Sequence, residues 1–162
     1  MRVAILTIST AGARGERKGG DTSGDAIVAW TREHGHQLAA RELVSDDANA
    51  IIGKLVEWCD TELADLVLTT GGTGLSPTDV TPEATAAVIE RDAPGIAEWL
   101  RANAVNSFPR AALSRGRSGV RHRTLIVNLP GSPGGVKDSL AALDAIVEHA
   151  IAVLRGEVAR HD

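Results

Sequence analysis

Short runs of apolar, β-branched residues alternate along this chain with stretches in which apolar residues recur every three or four positions. Val3 to Ile8 is the first such run and reads as a buried strand. A Gly- and charge-rich patch, Ala11 to Gly20, follows and reads as a mobile loop. Asp21-Thr22-Ser23 then offers capping side chains for a helix that runs through Trp30 and ends near Gly35. Gln37 to Val44 is the second predicted strand. Ile51, Ile52, Leu55, Val56 and Cys59 fall at helical spacing, and Leu66 to Thr70 is a third strand stopped by Gly71-Gly72.

The next helix is expected at Thr81-Pro82-Glu83, with Thr as N-cap, Pro at the first helical position and Glu at the positive end of the dipole. It should stop before Pro94-Gly95, where a further helix covering roughly Ile96 to Val105 begins. Thr124 to Leu129 is the last strong strand. A single final helix then carries Leu140, Leu143, Ile146, Val147, Ala150, Ile151 and Leu154 on one face and closes at Gly156. Strands alternating with helices predict a parallel or mostly parallel sheet covered on both faces. The fold class is therefore α/β, a single three-layer α/β/α domain.

Composition narrows the picture. With 162 residues the chain suits one domain, drawn as residues 1–156 with a short tail at 157–162. Hydrophobic residues at 43% and charged residues at 23% exclude a disordered chain. A net charge of −4 with three Trp, one Phe and no Tyr argues against a nucleic-acid binder, which needs basic grooves and stacking platforms. The apolar start is too short for a signal or a membrane span. One cysteine, Cys59, excludes an internal disulfide and a CxxC zinc site, and a cytoplasmic protein is expected.

In doubly covered sheets, ligands sit outside the carboxyl ends of the strands, and the least ordinary residues fall there. The first strand leads to Ser9-Thr10 and on to Asp21-Thr22-Ser23-Gly24. The second leads to Ser45-Asp46-Asp47, the third to Gly71 through Asp79, and the last to Pro130-Gly131-Ser132-Pro133. Gly71-Gly72-Thr73-Gly74 allows backbone N–H groups to approach an anion closely, or serves only as a tight turn. It is neither a P-loop nor a dinucleotide fingerprint. Asp46 and Asp79 suit a hard cation such as Mg²⁺ beside phosphates, or cap nearby helices, as Asp47 does more readily.

Other candidates carry less. Pro130-Gly131-Ser132-Pro133-Gly134 nearly matches a nucleophile elbow. Its partners would be Asp144 and His149, which on one continuous helix point about 140° apart, so a hydrolase relay is rejected. His34-Gly35-His36 straddles a helix end, which makes a poor ligand pair, and Cys59 belongs to the core. The basic run Arg110, Arg115, Arg117, Arg121 and Arg123 reads as a solvated loop able to attract an anion.

Thr69-Thr70-Gly71-Gly72-Thr73-Gly74, then Asp79-Val80-Thr81-Pro82-Glu83-Ala84, then Leu129-Pro130-Gly131-Ser132-Pro133 closely resembles the molybdenum-cofactor adenylyltransferases and the gephyrin G domain. The likeness runs from Val3 to about Leu154. It implies transfer of AMP from ATP to molybdopterin with Mg²⁺, release of pyrophosphate, and delivery of the product to a separate molybdenum insertase. It also implies a mixed sheet with one antiparallel strand, and a homotrimer. By motif position, Asp46 and Asp79 match the catalytic and Mg²⁺-linked acids. Gly71, Gly72, Thr73, Gly74, Asp21, Ser23 and Gly24 match the nucleotide site. Ser9, Thr81, Gly131, Ser132 and Pro133 match the molybdopterin site. Thr78 stands where the family often has Arg, and Ser45 where it often has Pro. The rival is a weakly active paralogue or a non-catalytic pterin-binding scaffold, against which the pair of acids argues.

Overall fold

The structure is a computed structural model that describes residues 1–16 and 18–157. Residues 158–162 of the expected tail, and Arg17 of the Gly-rich patch, lie outside the described residues. Six strands form one sheet: β1 (Arg2–Ile8), β2 (Gln37–Val44), β3 (Leu66–Thr70), β4 (Arg91–Asp92), β5 (Ser118–Arg121) and β6 (Thr124–Leu129). Their order is β2-β1-β3-β6-β5-β4. The pairs β1–β2, β1–β3 and β3–β6 are parallel, while β5 runs antiparallel to both β6 and β4. The sheet is thus mixed, with one reversed strand.

Among the described residues seven α-helices cover it: α1 (Thr10–Ala13), α2 (Thr22–Glu33), α3 (Ala48–Asp60), α4 (Thr81–Val88), α5 (Pro94–Val105), α6 (Pro133–Asp144) and α7 (Val147–Arg155). Strands β3 and β6 are buried at every position, as continuous apolar runs covered on both faces should be. Alternate strand residues feed two cores. Val3, Ile5, Leu66, Leu68, Leu125 and Val127 pack under α2, α5, α6 and α7. Ala4, Leu6, Val67 and Ile126 pack on the other face under α3 and α4, around the fully buried Ile51, Leu55 and Cys59. Cys59 is core, and burial pushes its thiol up to about 11.

Four expectations are corrected. The Gly-rich patch is not wholly a loop, since Ser9 accepts from Gly12 N and caps the single turn α1. Thr81 is not the N-cap of α4; Val80 is, and the Thr81 hydroxyl donates instead to Gly71 O at 2.9 Å. The final helix is two helices, because the chain breaks at Ala145–Ile146, with Ile146 N turning back to Leu143 O. Their apolar faces are continuous, so the periodicity ran through the break. The basic run is not all solvated loop: Ser118, Gly119 and Val120 are buried in β5.

Candidate functional site

The chain leaves β1 toward β2 on one side and returns to β3 on the other, so the carboxyl ends of β1 and β3 form a topological switch point. Three loops meet there, held by buried hydroxyls. Thr70 Oγ1 donates to Pro130 O at 2.6 Å, joining the ends of β3 and β6. Ser23 Oγ donates to Gly131 O at 2.7 Å, fixing the start of α2 against the loop after β6. Thr81 donates twice, from its hydroxyl to Gly71 O and from its N–H to Gly72 O at 3.1 Å. Gly131 stands so close to Gly71 that a Cβ on it would lie 3.3 Å from the Gly71 Cα. Gly71 (φ 100°) and Gly72 (φ 63°) both occupy the left-handed region, where a side chain is strained.

The two acids border this glycine run from different sides. Asp46 Oδ2 accepts from Thr10 N at 2.7 Å and from Thr10 Oγ1 at 2.8 Å. Its Oδ1 lies 3.3 Å from where a Gly72 Cβ would stand. Asp46 therefore does not cap α3; Asp47 does, accepting from Ala50 N. Asp79 Oδ2 accepts from Ser76 N at 3.2 Å and lies 2.7 Å from the position of a Gly74 Cβ. Both carboxylates thus open onto space kept free by glycines. Among the described residues there is no group of three or more metal-ligating side chains. Two carboxylates fit Mg²⁺, which is held by one or two of them together with substrate phosphates.

Asp21 takes a different part. It caps α2 through Gly24 N at 2.9 Å, accepts from Thr7 Oγ1, and pairs with Arg41 at 2.8 Å. Burial alone would raise its pKa, but the hydrogen bonds from Arg41, Gly24 and Thr7 hold it below the usual carboxylate range. Its charge is spent inside the protein, so it orients the N-terminus of α2. Ser9 likewise caps α1, and Ser132 caps α6 by accepting from Gly135 N at 3.2 Å.

A cavity of about 640 Å³ opens beside the glycine run. Gly72, Thr73, Gly74 and Asp79 line it on one side and Gly131 and Ser132 on another; Asp46, Ser9, Asp21 and Pro133 are not in its lining. Its third wall escaped the sequence reading. Ala97, Leu100, Arg101 and Ala104 of α5 supply it, with Phe108 just before the 3₁₀ turn Pro109–Leu113 and Leu113 at its end. Phe108 and Leu113 are 53% exposed, so this wall presents apolar surface to an incoming ring. The helical spacing of Ala97, Leu100 and Ala104 was visible, but spacing alone does not tell a core face from a cavity wall.

Asn128 is the other residue missed. It is buried at the end of β6 and donates through Nδ2 to Thr69 Oγ1 and Thr85 Oγ1, both at 2.9 Å. The rejected candidates stay outside. His34 Nε2 lies 3.4 Å from Asp144, whose other oxygen accepts from Trp30 Nε1 at 2.6 Å.

Comparison with known proteins gives the family and the fold. Residues 4–149 match the family model described as a probable molybdopterin binding domain. A molybdopterin adenylyltransferase from Helicobacter pylori is 38% identical over 158 residues, covering 96% of this chain and 89% of that protein. The molybdenum cofactor synthesis protein cinnamon from Drosophila melanogaster is 36% identical over 155 residues, and the chain spans only 26% of its length. The crystal structure of the molybdopterin biosynthesis enzyme MoaB from Thermus thermophilus superposes with a TM-score of 0.89 at 48% identity, covering 96% of each chain.

Proposed function

Because the chain belongs to the molybdopterin-binding domain family, we propose that it is a nucleotidyltransferase that moves the adenylyl group of ATP onto molybdopterin. A phosphate oxygen of the pterin forms a bond to the α-phosphorus of ATP, the bond from that phosphorus to the bridging oxygen breaks, and pyrophosphate leaves. Such a transfer needs alignment and charge neutralisation more than a strong base. The observation that carries the reading is the meeting of a left-handed Gly71-Gly72 run, two carboxylates and an apolar-walled cavity at one sheet edge.

Each part has a chemical task. The backbone amides of Gly72 and Gly74, residues without a Cβ, suit the ATP phosphates. The half-apolar cavity suits the pterin, with Ser132 able to donate its hydroxyl proton to an anionic group while its oxygen caps α6. Ser23, Thr70 and Thr81 act through the backbone they hold. Asp46 and Asp79 would hold Mg²⁺, which when bound neutralises phosphate charge.

The same reading extends to a homotrimer, to hand-over of the product to a separate molybdenum insertase, and to a cytoplasmic location. The exposed Trp99 supports self-association, and no helix among the described residues is long and apolar enough to cross a membrane. Incubation with molybdopterin, ATP and Mg²⁺ tests the reaction. Adenylylated pterin with one pyrophosphate per turnover is the expected product; pterin binding without product identifies a scaffold. Sedimentation at micromolar concentration tests the trimer against a 16.9 kDa monomer.

A further inference from the structure

Arg115 belongs to the basic run, yet its side chain is bound on three sides. Nε donates to Gly74 O and Nη2 to Asp79 O, each at 2.7 Å. Nη1 pairs with Glu83 in the first turn of α4, and the Arg115 N–H donates to Thr73 O at 2.8 Å. Gly74 and Asp79 are the two ends of the excursion through residues 75–78, so one planar group closes it at both ends. Arg101 on α5 steadies the segment that carries Arg115 by donating to Gly116 O at 2.8 Å.

We propose that Arg115 is the positioning residue for Asp79, setting where its carboxylate stands relative to the Gly72–Gly74 amides. Among the described residues the Asp79 side chain has one internal anchor, the 3.2 Å bond from Ser76 N, and Ser76 lies inside the same excursion. Its place is therefore set by the backbone that Arg115 grips. Lysine cannot substitute, because three acceptors around one plane need the guanidinium fork. Hydrogen bonding from Arg115 also holds the Glu83 carboxyl below its usual range. The kinetic consequence rests on the adenylyl-transfer reading; the geometric one does not.

The test uses Arg115→Ala, Arg115→Lys and Glu83→Gln, with hydrogen exchange and steady-state kinetics as separate readouts. In Arg115→Ala, amide exchange over residues 74–79 should rise about tenfold or more while β1 and β3 stay protected. kcat should fall about a hundredfold, the scale of a displaced catalytic group. KM for molybdopterin, held by the rest of the cavity, should move by less than about threefold. Added guanidinium should restore part of the activity of Arg115→Ala and none in Arg115→Lys, and Glu83→Gln should show a smaller form of both effects. Unchanged exchange over 74–79 in Arg115→Ala, or wild-type kcat in Arg115→Lys, overturns the proposal. Should Arg115→Ala fail to fold, Arg115→Lys decides alone, since wild-type exchange in it is equally fatal. A wild type that makes no adenylylated pterin refutes the function reading, and the exchange experiment still decides the role of Arg115.

Discussion

Thr10 and Asp46 hold each other in both directions. Thr10 donates its N–H and its hydroxyl to Asp46 Oδ2, and Asp46 N donates back to Thr10 Oγ1 at 3.0 Å. One carboxylate oxygen is thereby committed to the first turn of α1, while Oδ1 faces Gly72.

This division separates charge from scaffold in Asp46→Asn. The asparagine carbonyl oxygen accepts both Thr10 bonds, so the fold should persist with little change in thermal midpoint. The negative charge toward the glycine run is lost, and turnover should fall by about a hundredfold or more. Turnover and thermal unfolding measured side by side check this. Wild-type turnover would reduce Asp46 to a brace for α1.

The glycine run should be sensitive residue by residue. A Cβ on Gly71 would collide with the Ile8 carbonyl, which is backbone and cannot step aside. Gly71→Ala should cost roughly 3 kcal/mol, combining left-handed strain with that clash. A Cβ on Gly72 instead meets the Thr81 hydroxyl at 2.5 Å and Asp46 Oδ1 at 3.3 Å, both side-chain atoms. Gly72→Ala should therefore unfold at lower denaturant than the wild type but later than Gly71→Ala, and lose activity more than stability. The reverse order in urea melts would contradict this reading of the loop.

The same local physics explains what the sequence could and could not reveal. Strands β2, β3 and β6 are bounded as the residue pattern predicts: β3 and β6 are mostly apolar runs stopped by Gly71 and Pro130, whereas β2 mixes apolar with polar residues and is only partly buried. The reversed strand β5 was hidden because its four residues, Ser118 to Arg121, contain one large apolar side chain and are flanked by arginines. Those arginines are spent on partners distant in sequence, such as Arg121 on Asp60 at 2.7 Å. No glycine or proline marks the break between α6 and α7. For the site, Asp46, Asp79 and the glycine run were legible as types in loops. That Ser23 and Thr81 act through bonds to the backbone of Gly131 and Gly71 was not, since residue type and spacing do not show which carbonyl a hydroxyl meets across a loop or between segments 108 residues apart.

Asp65 gives the fold an acid limit. Burial opposes its charge, but hydrogen bonds from the Arg2 side chain, the Arg2 N–H and Arg155 prevail and bring it from 3.8 down to about 2. A carboxylate depressed in the folded state contributes stability above the unfolded value and loses it as pH falls toward the folded one. About 2 kcal/mol should therefore disappear between pH 4 and pH 2. Asp65→Asn should be less stable than the wild type at pH 7 by about that amount, with the difference closing near pH 2. Urea unfolding at the two pH values measures it, and an equal gap at both would show that the carboxylate charge is not the source.

Ser132 has two duties that one substitution cannot separate and two can. Its oxygen caps α6 through Gly135 N, and its hydroxyl proton remains available toward the cavity. Ser132→Ala removes both, costing about 1 kcal/mol of stability for the cap and weakening molybdopterin binding. Ser132→Asp keeps an oxygen for the cap and favours the positive helix end, so stability should match or exceed the wild type. It also places a negative charge where the hydroxyl would meet an anionic pterin group. Repulsion at contact distance should weaken molybdopterin binding at least about tenfold, while ATP, assigned to the glycine run, should bind Ser132→Ala as it binds the wild type. Titration of both ligands into both variants, beside their thermal midpoints, separates the duties. Wild-type pterin affinity in Ser132→Asp would leave Ser132 as a helix cap alone, and equal losses of ATP and pterin in Ser132→Ala would show that the two loops serve one shared subsite.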